Sequence, residues 1–212
     1  MRASGPTSDG SWPSQMMITV EDNPLALLEL LWVREAWGLT LAADGPPPLG
    51  QPPAKLGAAY VDAEWERAWP ELWQECLDHL TIETGPLLQQ LPNTADGSPE
   101  RARLLGLVLG PSWHDRFGDD SLGTPFVTWQ SEQRSAQSNA HDVPLDSTPE
   151  RRSVRALVSA WEAGLTKVVT LPCRGEYTRA VSGSTLILTN NDHRDPDRYD
   201  AALREFASGS LK

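Results

Sequence analysis

All four histidines of this 212-residue chain stand next to an aspartate. The pairs are Asp78–His79, His114–Asp115, His141–Asp142 and Asp192–His193. Imidazole and carboxylate groups are common metal ligands, and a bound metal ion can activate water for hydrolysis. Adjacent residues point apart on a helix, so no pair makes a site by itself. A metal centre would therefore require the fold to bring several pairs together.

The order of four of these residues resembles a known metal-binding pattern. His79, the pair His114–Asp115 and the distant Asp192 follow the H…HD…D ligand order of the HD-type metal phosphohydrolases. The resemblance covers these four residues and implies that they hold a metal ion for hydrolysis. In that family the His-Asp pair lies on a helix of an all-helical bundle, whereas Gly110-Pro111 ends a predicted helix just before the pair here. A metal-dependent phosphohydrolase is one alternative function.

The common signatures of other enzymes are absent from the sequence. It has no glycine-rich phosphate loop, no G-x-S-x-G nucleophile elbow and no H-E-x-x-H zinc motif. Two cysteines, Cys76 and Cys173, exclude a disulfide framework, and the lack of a C-x-x-C pair excludes the usual structural zinc site. Arg174 would favour the Cys173 thiolate, but no histidine base stands near it in the sequence. The sequence therefore predicts no cofactor and no catalytic residue.

Acidic residues dominate the first two thirds of the chain. The net charge is −11, and residues 1–142 hold 8 basic and 20 acidic residues, whereas residues 143–212 hold 10 and 9. This balance argues against a binder of duplex nucleic acid, which needs a basic face to displace counterions. A field of one sign speeds the encounter with an oppositely charged partner, and it also keeps a protein in solution.

Residues 62–83 concentrate this charge, with seven acids and one base. Glu71, Glu75 and Asp78 lie on or near the side opposite an apolar stripe at helical spacing, within which Pro70 should kink or restart the helix. The stripe consists of Trp65, Trp69, Trp73, Cys76, Leu77 and Leu80. Two interpretations stay open: a solvated face above a tryptophan-rich core, or an acidic surface for a basic partner.

The leading hypothesis is a non-catalytic cytoplasmic module that binds another, basic protein, as an immunity-type or antitoxin-type inhibitor does. Glu71, Glu75 and Asp78 would supply the charged contacts. Trp65 and Trp113 would anchor the interface if they are not part of the core. Nine tryptophans are more than a small core usually needs, and tryptophan is favoured at interfaces.

A third possibility is a structural or assembly subunit. Residues 24–37 predict a helix that is apolar on every side, which indicates either a central core helix or half of a homodimer interface. Its apolar run from Leu25 to Val33 contains Glu29 and is shorter than the roughly 20 residues that cross a bilayer. Residues 1–15 lack the apolar run of a signal peptide. The sequence thus predicts a cytoplasmic protein with no membrane contact and the option of a homodimer.

The patterning predicts an α+β fold. Four main helices, at 24–37, 62–83, 99–109 and 149–163, precede strands at 167–171, 177–181 and 185–189 and a final helix from Asp195. Short turns between these strands predict a three-stranded antiparallel sheet with helices on one side. Shorter signals suggest strands at 17–20 and 126–129 and a surface loop at 130–147.

The predicted domain organisation is a disordered leader over 1–16 followed by a single α+β domain over 17–212. This domain has two possible subdivisions, an acidic helical part at 17–142 and a helix–meander–helix part at 143–212. The proline-rich segment 39–60 either separates two units or wraps around one. Two polar clusters could line a site: 113–120, which mixes aromatic and charged residues, and 190–195, where a helix N-terminus could hold an anion.

Overall fold

A computed structural model describes residues 12–40, 45–57, 63–138 and 147–211 of the chain. Within those ranges the fold is α+β, as predicted. The chain divides into two compact units. Unit 1 combines Met1–Asn23 with Gln133–Lys212, and unit 2 comprises Pro24–Glu132. The segment that ends at Asn23 belongs to unit 1, because its strand pairs with a strand from the C-terminal part.

Unit 2 is helical in its described residues. Its helices are α1 (Leu25–Trp37), α2 (Ala63–His79), α3 (Gly85–Gln90), α4 (Pro99–Leu109), α5 (Trp113–Phe117) and the first part of α6 (Gly123–Ser138). Helix α1 lies in the core, because most of its residues are buried and the Trp69 indole donates a 2.7 Å hydrogen bond to the Leu30 carbonyl. The apolar surface of α1 is therefore used inside unit 2.

Unit 1 contains a four-stranded mixed sheet. Its strands are β1 (Thr19–Asp22), β2 (Lys167–Leu171), β3 (Thr178–Val181) and β4 (Thr185–Thr189), in the order β1-β2-β4-β3. Strands β1 and β2 are parallel, as are β2 and β4, whereas β3 and β4 are antiparallel. The helices of this unit are α7 (Pro149–Arg152), α8 (Val154–Glu162), α9 (Asn190–Arg194) and α10 (Pro196–Ala207). Leu157, Tyr199 and Leu203 pack from α8 and α10 into a core with Val168 and Leu188.

The predicted three-stranded antiparallel meander is wrong in strand count and partly wrong in direction. Only β3 and β4 form the expected hairpin, because β4 inserts between β2 and β3. All five residues of β4 are buried, which is typical of a central strand covered on both faces, while β3 is mostly half-buried and forms the edge. The prediction was wrong because a short connection requires an antiparallel direction only when the two strands that it joins are adjacent in the sheet. Strands β2 and β3 are not adjacent.

Residues 126–129 form a helix where a strand was expected. They belong to α6, which also replaces the first part of the predicted loop at 130–147, and residues 139–146 lie outside the described ranges. Phe126 and Trp129 are buried while Val127 between them is exposed, which is a helical rather than an alternating pattern. All four residues of this window favour β-strands by type, and that local preference is outweighed here by helical packing.

Several element boundaries also differ from the predictions. Strand β1 begins two residues later than the predicted strand at 17–20, and the predicted helix at 149–163 divides at Ser153 into α7 and α8. Helix α2 continues through Pro70 without restarting. Its expected N-cap, Asp62, lies outside the described residues.

Residues 12–16, assigned to a disordered leader, have defined contacts in unit 1. The Trp12 indole donates to the Met16 carbonyl at 3.0 Å, and Met16 is buried in the core. The Arg151 guanidinium lies 5.5 Å from the centre of the Trp12 ring. The rest of the leader, residues 1–11, lies outside the described residues.

Candidate functional site

The acidic strip of α2, defined as Glu71, Glu75 and Asp78, is exposed to solvent. Its members follow at intervals of four and three residues, so they share one face over about 10 Å of helix. Glu71 forms a 3.4 Å ion pair with Arg116, and Asp78 accepts a 2.8 Å hydrogen bond from Gln74. Glu75 has no ion pair or hydrogen bond with any residue in the described part of the chain. The strip therefore presents three carboxylates, and among the described residues only Glu71 is paired with a cation.

The opposite face of α2 is packed into unit 2. Its buried side chains are Ala68, Trp69, Leu72, Trp73, Cys76 and Leu77. The Trp69 and Trp73 rings stack 5.2 Å apart, and the Arg34 guanidinium lies 5.8 Å from the Trp69 ring. This packing fixes the rotation of α2 about its axis, so it also fixes the direction in which the acidic strip points.

Trp65 and Trp113 belong to one aromatic cluster at the start of α2. The Trp65 ring meets the rings of Trp37 and Trp113 edge to face, each at 5.5 Å, and lies 5.9 Å from Phe117. Trp113 is completely buried and its indole donates a 2.9 Å hydrogen bond to the Ser121 hydroxyl. Trp113 is thus a core residue and is unavailable as an exposed anchor, whereas Trp65 is half-buried.

A buried carboxylate with no predicted role contacts the start of the 113–120 cluster. Glu29, on α1, is only 6% exposed, and it accepts hydrogen bonds from the backbone N–H groups of Trp113 and, at 3.3 Å, His114. The backbone N–H group of Asp115 donates a 3.1 Å hydrogen bond to the Ser112 hydroxyl. These three amides are the first of α5 and have no partner within the helix, so Glu29 and Ser112 together satisfy them.

The environment of Glu29 shifts two acid–base equilibria. Burial raises the pKa of Glu29 above its ordinary value, although its hydrogen bonds and the nearby His114 oppose that effect. Cys76 lies close by, and its thiol is 3.3 Å from the Pro111 carbonyl. Burial first, and then the Glu29 and Glu75 carboxylates, raise the pKa of Cys76 to about 12. Cys76 therefore stays a thiol at neutral pH and is unsuited to nucleophilic attack.

The residues of the phosphohydrolase pattern have separate partners. The His79 imidazole donates to a backbone carbonyl of α4 at 2.9 Å, and His114 lies 3.0 Å from the Asp119 carboxylate. Asp115 accepts a 2.7 Å hydrogen bond from the serine that caps α5. Among the described residues, no three histidine, cysteine, aspartate or glutamate side chains are grouped to hold a metal ion. The metal-site prediction receives no supporting geometry.

Asp192, the fourth residue of that pattern, belongs to a polar network in unit 1. Its buried carboxylate accepts from the Thr189 hydroxyl at 2.8 Å and the Tyr177 backbone N–H at 3.0 Å, and it pairs with Arg198 at 3.1 Å. Asp195 in the same 190–195 cluster caps α10. The network satisfies the carboxylates with partners from the protein itself, which is typical of a structural role.

A histidine–carboxylate pair joins two helices of unit 1. His193 on α9 and Glu150 on α7 lie 2.7 Å apart, and both side chains are largely buried. Burial by itself would raise the pKa of Glu150. The hydrogen bond from His193, together with backbone and Thr148 hydrogen bonds and the charge of His193, outweighs burial, so the pKa lies below its ordinary value. No local sequence pattern predicts this pair, because its members are 43 positions apart.

In the described ranges, no helix is both long enough and apolar enough to cross a bilayer. No protein-family model, curated protein or solved structure matches the chain.

Proposed function

We propose that this chain acts as a non-catalytic binding protein that docks a basic protein partner on the acidic strip of α2. The observation that carries the proposal is the exposure of Glu71, Glu75 and Asp78 on one side of a helix whose other side is fixed in the core. A partner that placed lysine or arginine residues at matching intervals would meet three carboxylates at once. An immunity-type or antitoxin-type inhibitor of a basic enzyme is one form that such a function takes.

The three carboxylates of the strip lie in contact with solvent. Exposed carboxylates contribute more to the rate and specificity of association than to the folded state, because solvent screens each exposed pair. Arg116 of α5, which pairs with Glu71, has a side chain that is 37% exposed, so solvent screens this pair and a partner can compete for Glu71. Trp65, half-buried at the start of the same helix, offers an apolar contact beside the charges.

The test is affinity capture from a lysate of the source cells, with the full chain as bait. We expect basic proteins to be retained at low salt and released at about 0.5 M salt, where the Debye length falls to roughly 4 Å. The variant Glu71→Lys/Glu75→Lys should lose the same proteins. The variant Glu162→Lys/Glu205→Lys makes the same change in net charge on α8 and α10, and it should retain them.

Circular dichroism of both variants would show that the fold is intact. Retention by Glu71→Lys/Glu75→Lys of the proteins that the wild-type chain retains would contradict the proposal. Equal loss in both variants would also contradict it, because binding would then depend on net charge rather than on the strip.

A further inference from the structure

A groove of about 450 Å³ runs beside α6 in unit 2. Thr124, Thr128 and Glu132 line it from the helix, and their spacing of four residues places them on one stripe about 12 Å long. The proline-rich segment 52–56 supplies much of the remaining lining. This volume lies within the usual range of ligand sites, roughly 300–1,000 Å³.

Hydrogen bonds hold the proline-rich segment at both ends. The Trp129 indole donates to the Gln51 carbonyl at 2.9 Å, and the Leu56 backbone N–H donates to the Ala36 carbonyl at 2.7 Å. Pro52-Pro53 between them restricts the backbone further. The groove is thus formed before any ligand arrives, which lowers the entropic cost of binding.

The chemistry of the groove is apolar with one negative end. Glu132 is the one charged residue among the described lining residues, and it is exposed. It has no ion pair or hydrogen bond with any residue that the structure describes. Lys55 lies in the same segment but is not among the lining residues. An apolar channel that ends at an unpaired carboxylate is complementary to an aliphatic chain that ends in a cation.

We propose that this groove receives an arginine side chain of the protein partner, an inference that rests on the proposed function for the basic character of that partner. The three methylene groups of arginine would lie between Pro53 and Thr128, and the guanidinium would meet Glu132. Arginine fits better than lysine because its planar head is less strongly hydrated, stacks on flat apolar surfaces and pairs with a carboxylate through two hydrogen bonds.

The experiment is an NMR titration of the full ¹⁵N-labelled chain with N-acetylarginine amide. The Trp129 indole N–H signal, assigned with Trp129→Phe, reports on the groove because this N–H group bonds to the segment that lines it. We expect a saturable shift of that signal. N-acetylcitrulline amide, which has nearly the same shape and no charge, should bind about 1.4- to 5-fold more weakly, since an exposed ion pair contributes about 0.2–1 kcal/mol.

Glu132→Gln should weaken arginine amide by the same factor and leave the citrulline compound unaffected. Glu100→Gln, which removes an exposed carboxylate of α4 outside the groove, should change neither. Equal binding of the two compounds, an unchanged affinity in Glu132→Gln, or no shift of the Trp129 signal would overturn the inference. These outcomes do not depend on the acidic strip of α2, so the groove and the proposed function can fail separately.

Discussion

Replacing Glu29 tests whether a buried carboxylate positions the start of α5. Glu29→Leu keeps a similar side-chain volume but removes the acceptor for two backbone N–H groups, those of Trp113 and His114. Each unpaired buried amide costs about 1–3 kcal/mol, and the His114 amide is only partly buried. We therefore expect the free energy of unfolding of unit 2 to fall by about 2–4 kcal/mol in acid, where the wild-type carboxyl is neutral.

Glu29→Gln separates the hydrogen bonds from the charge. The amide oxygen can accept the same N–H groups without an ionised group in the core. Because the pKa of Glu29 is raised in the fold, its proton is bound more tightly in the folded than in the unfolded chain. The resulting stability is complete below the ordinary pKa of 4.5 and is lost as the pH rises through the folded pKa. The advantage of the glutamine variant over wild type should therefore grow from pH 4.5 to pH 8.

Urea unfolding followed by tryptophan fluorescence measures these effects. Seven of the nine tryptophans lie in unit 2, so the emission reports mainly on that unit. Glu75→Gln removes an exposed carboxylate of α2 and serves as the control. Its free energy of unfolding should differ little from that of wild type at both ends of the pH range. A constant difference between Glu29→Gln and wild type across this range, or an advantage that is largest in acid, would refute the argument from burial.

Two further changes probe other contacts. Glu150→Gln should lower the free energy of unfolding of unit 1 by about 2–4 kcal/mol at pH 6, because it leaves buried His193 without its carboxylate. Since the pKa of Glu150 is lowered in the fold, the difference in stability between wild type and Glu150→Gln should disappear as the pH falls below 4.5. Thermal unfolding at a series of acidic pH values measures this difference, and a difference that stayed constant would contradict the prediction. Gly110→Ala should cost about 2–3 kcal/mol in urea unfolding, because Gly110 has a φ of 74° and a methyl group there would overlap the His79 ring. Adding His79→Ala to this variant should restore part of the lost stability. If the changes in unfolding free energy of the two single variants simply summed in the double variant, the overlap would be refuted.

The helices were the more predictable part of the fold. Trp69, Trp73 and Leu77 recur at the period of a helix, and α2 buries the face that they define. Gly38 and Gly110 end α1 and α4 at the expected positions. Such signals are local, so one sequence is enough to reveal them.

The sheet was less predictable because its pairing is not local. Strand β1 pairs with β2 across more than 140 positions, and no pattern within either strand specifies the other. One sequence signal does indicate that β4 is a central strand. Leu186, Ile187 and Leu188 form a continuous apolar run rather than an alternating one, and all of β4 is buried. That signal outweighs the short turns that favoured a meander.

The polar groups were the least predictable. Glu29 interrupts an apolar run in the sequence, yet its carboxylate accepts a hydrogen bond from the His114 amide, 85 positions away. Glu132 has no ion pair with any described residue. That depends on which charges the fold brings near it, and no local sequence pattern predicts it. The acidic strip of α2 was predictable as exposed, because exposure follows from helical periodicity alone.

The high tryptophan content, which by itself favours an interface, has a largely internal explanation. Five of the nine tryptophans are buried and the other four half-buried. Several indole N–H groups donate to distant backbone carbonyls, as Trp37 does to Ser121 and Trp129 to Gln51. Such bonds connect helices and loops, so these side chains are structural ties as well as apolar filling. The case for a partner must therefore rest on the exposed carboxylates, and Trp65→Ala would perturb the aromatic cluster before it perturbed an interface.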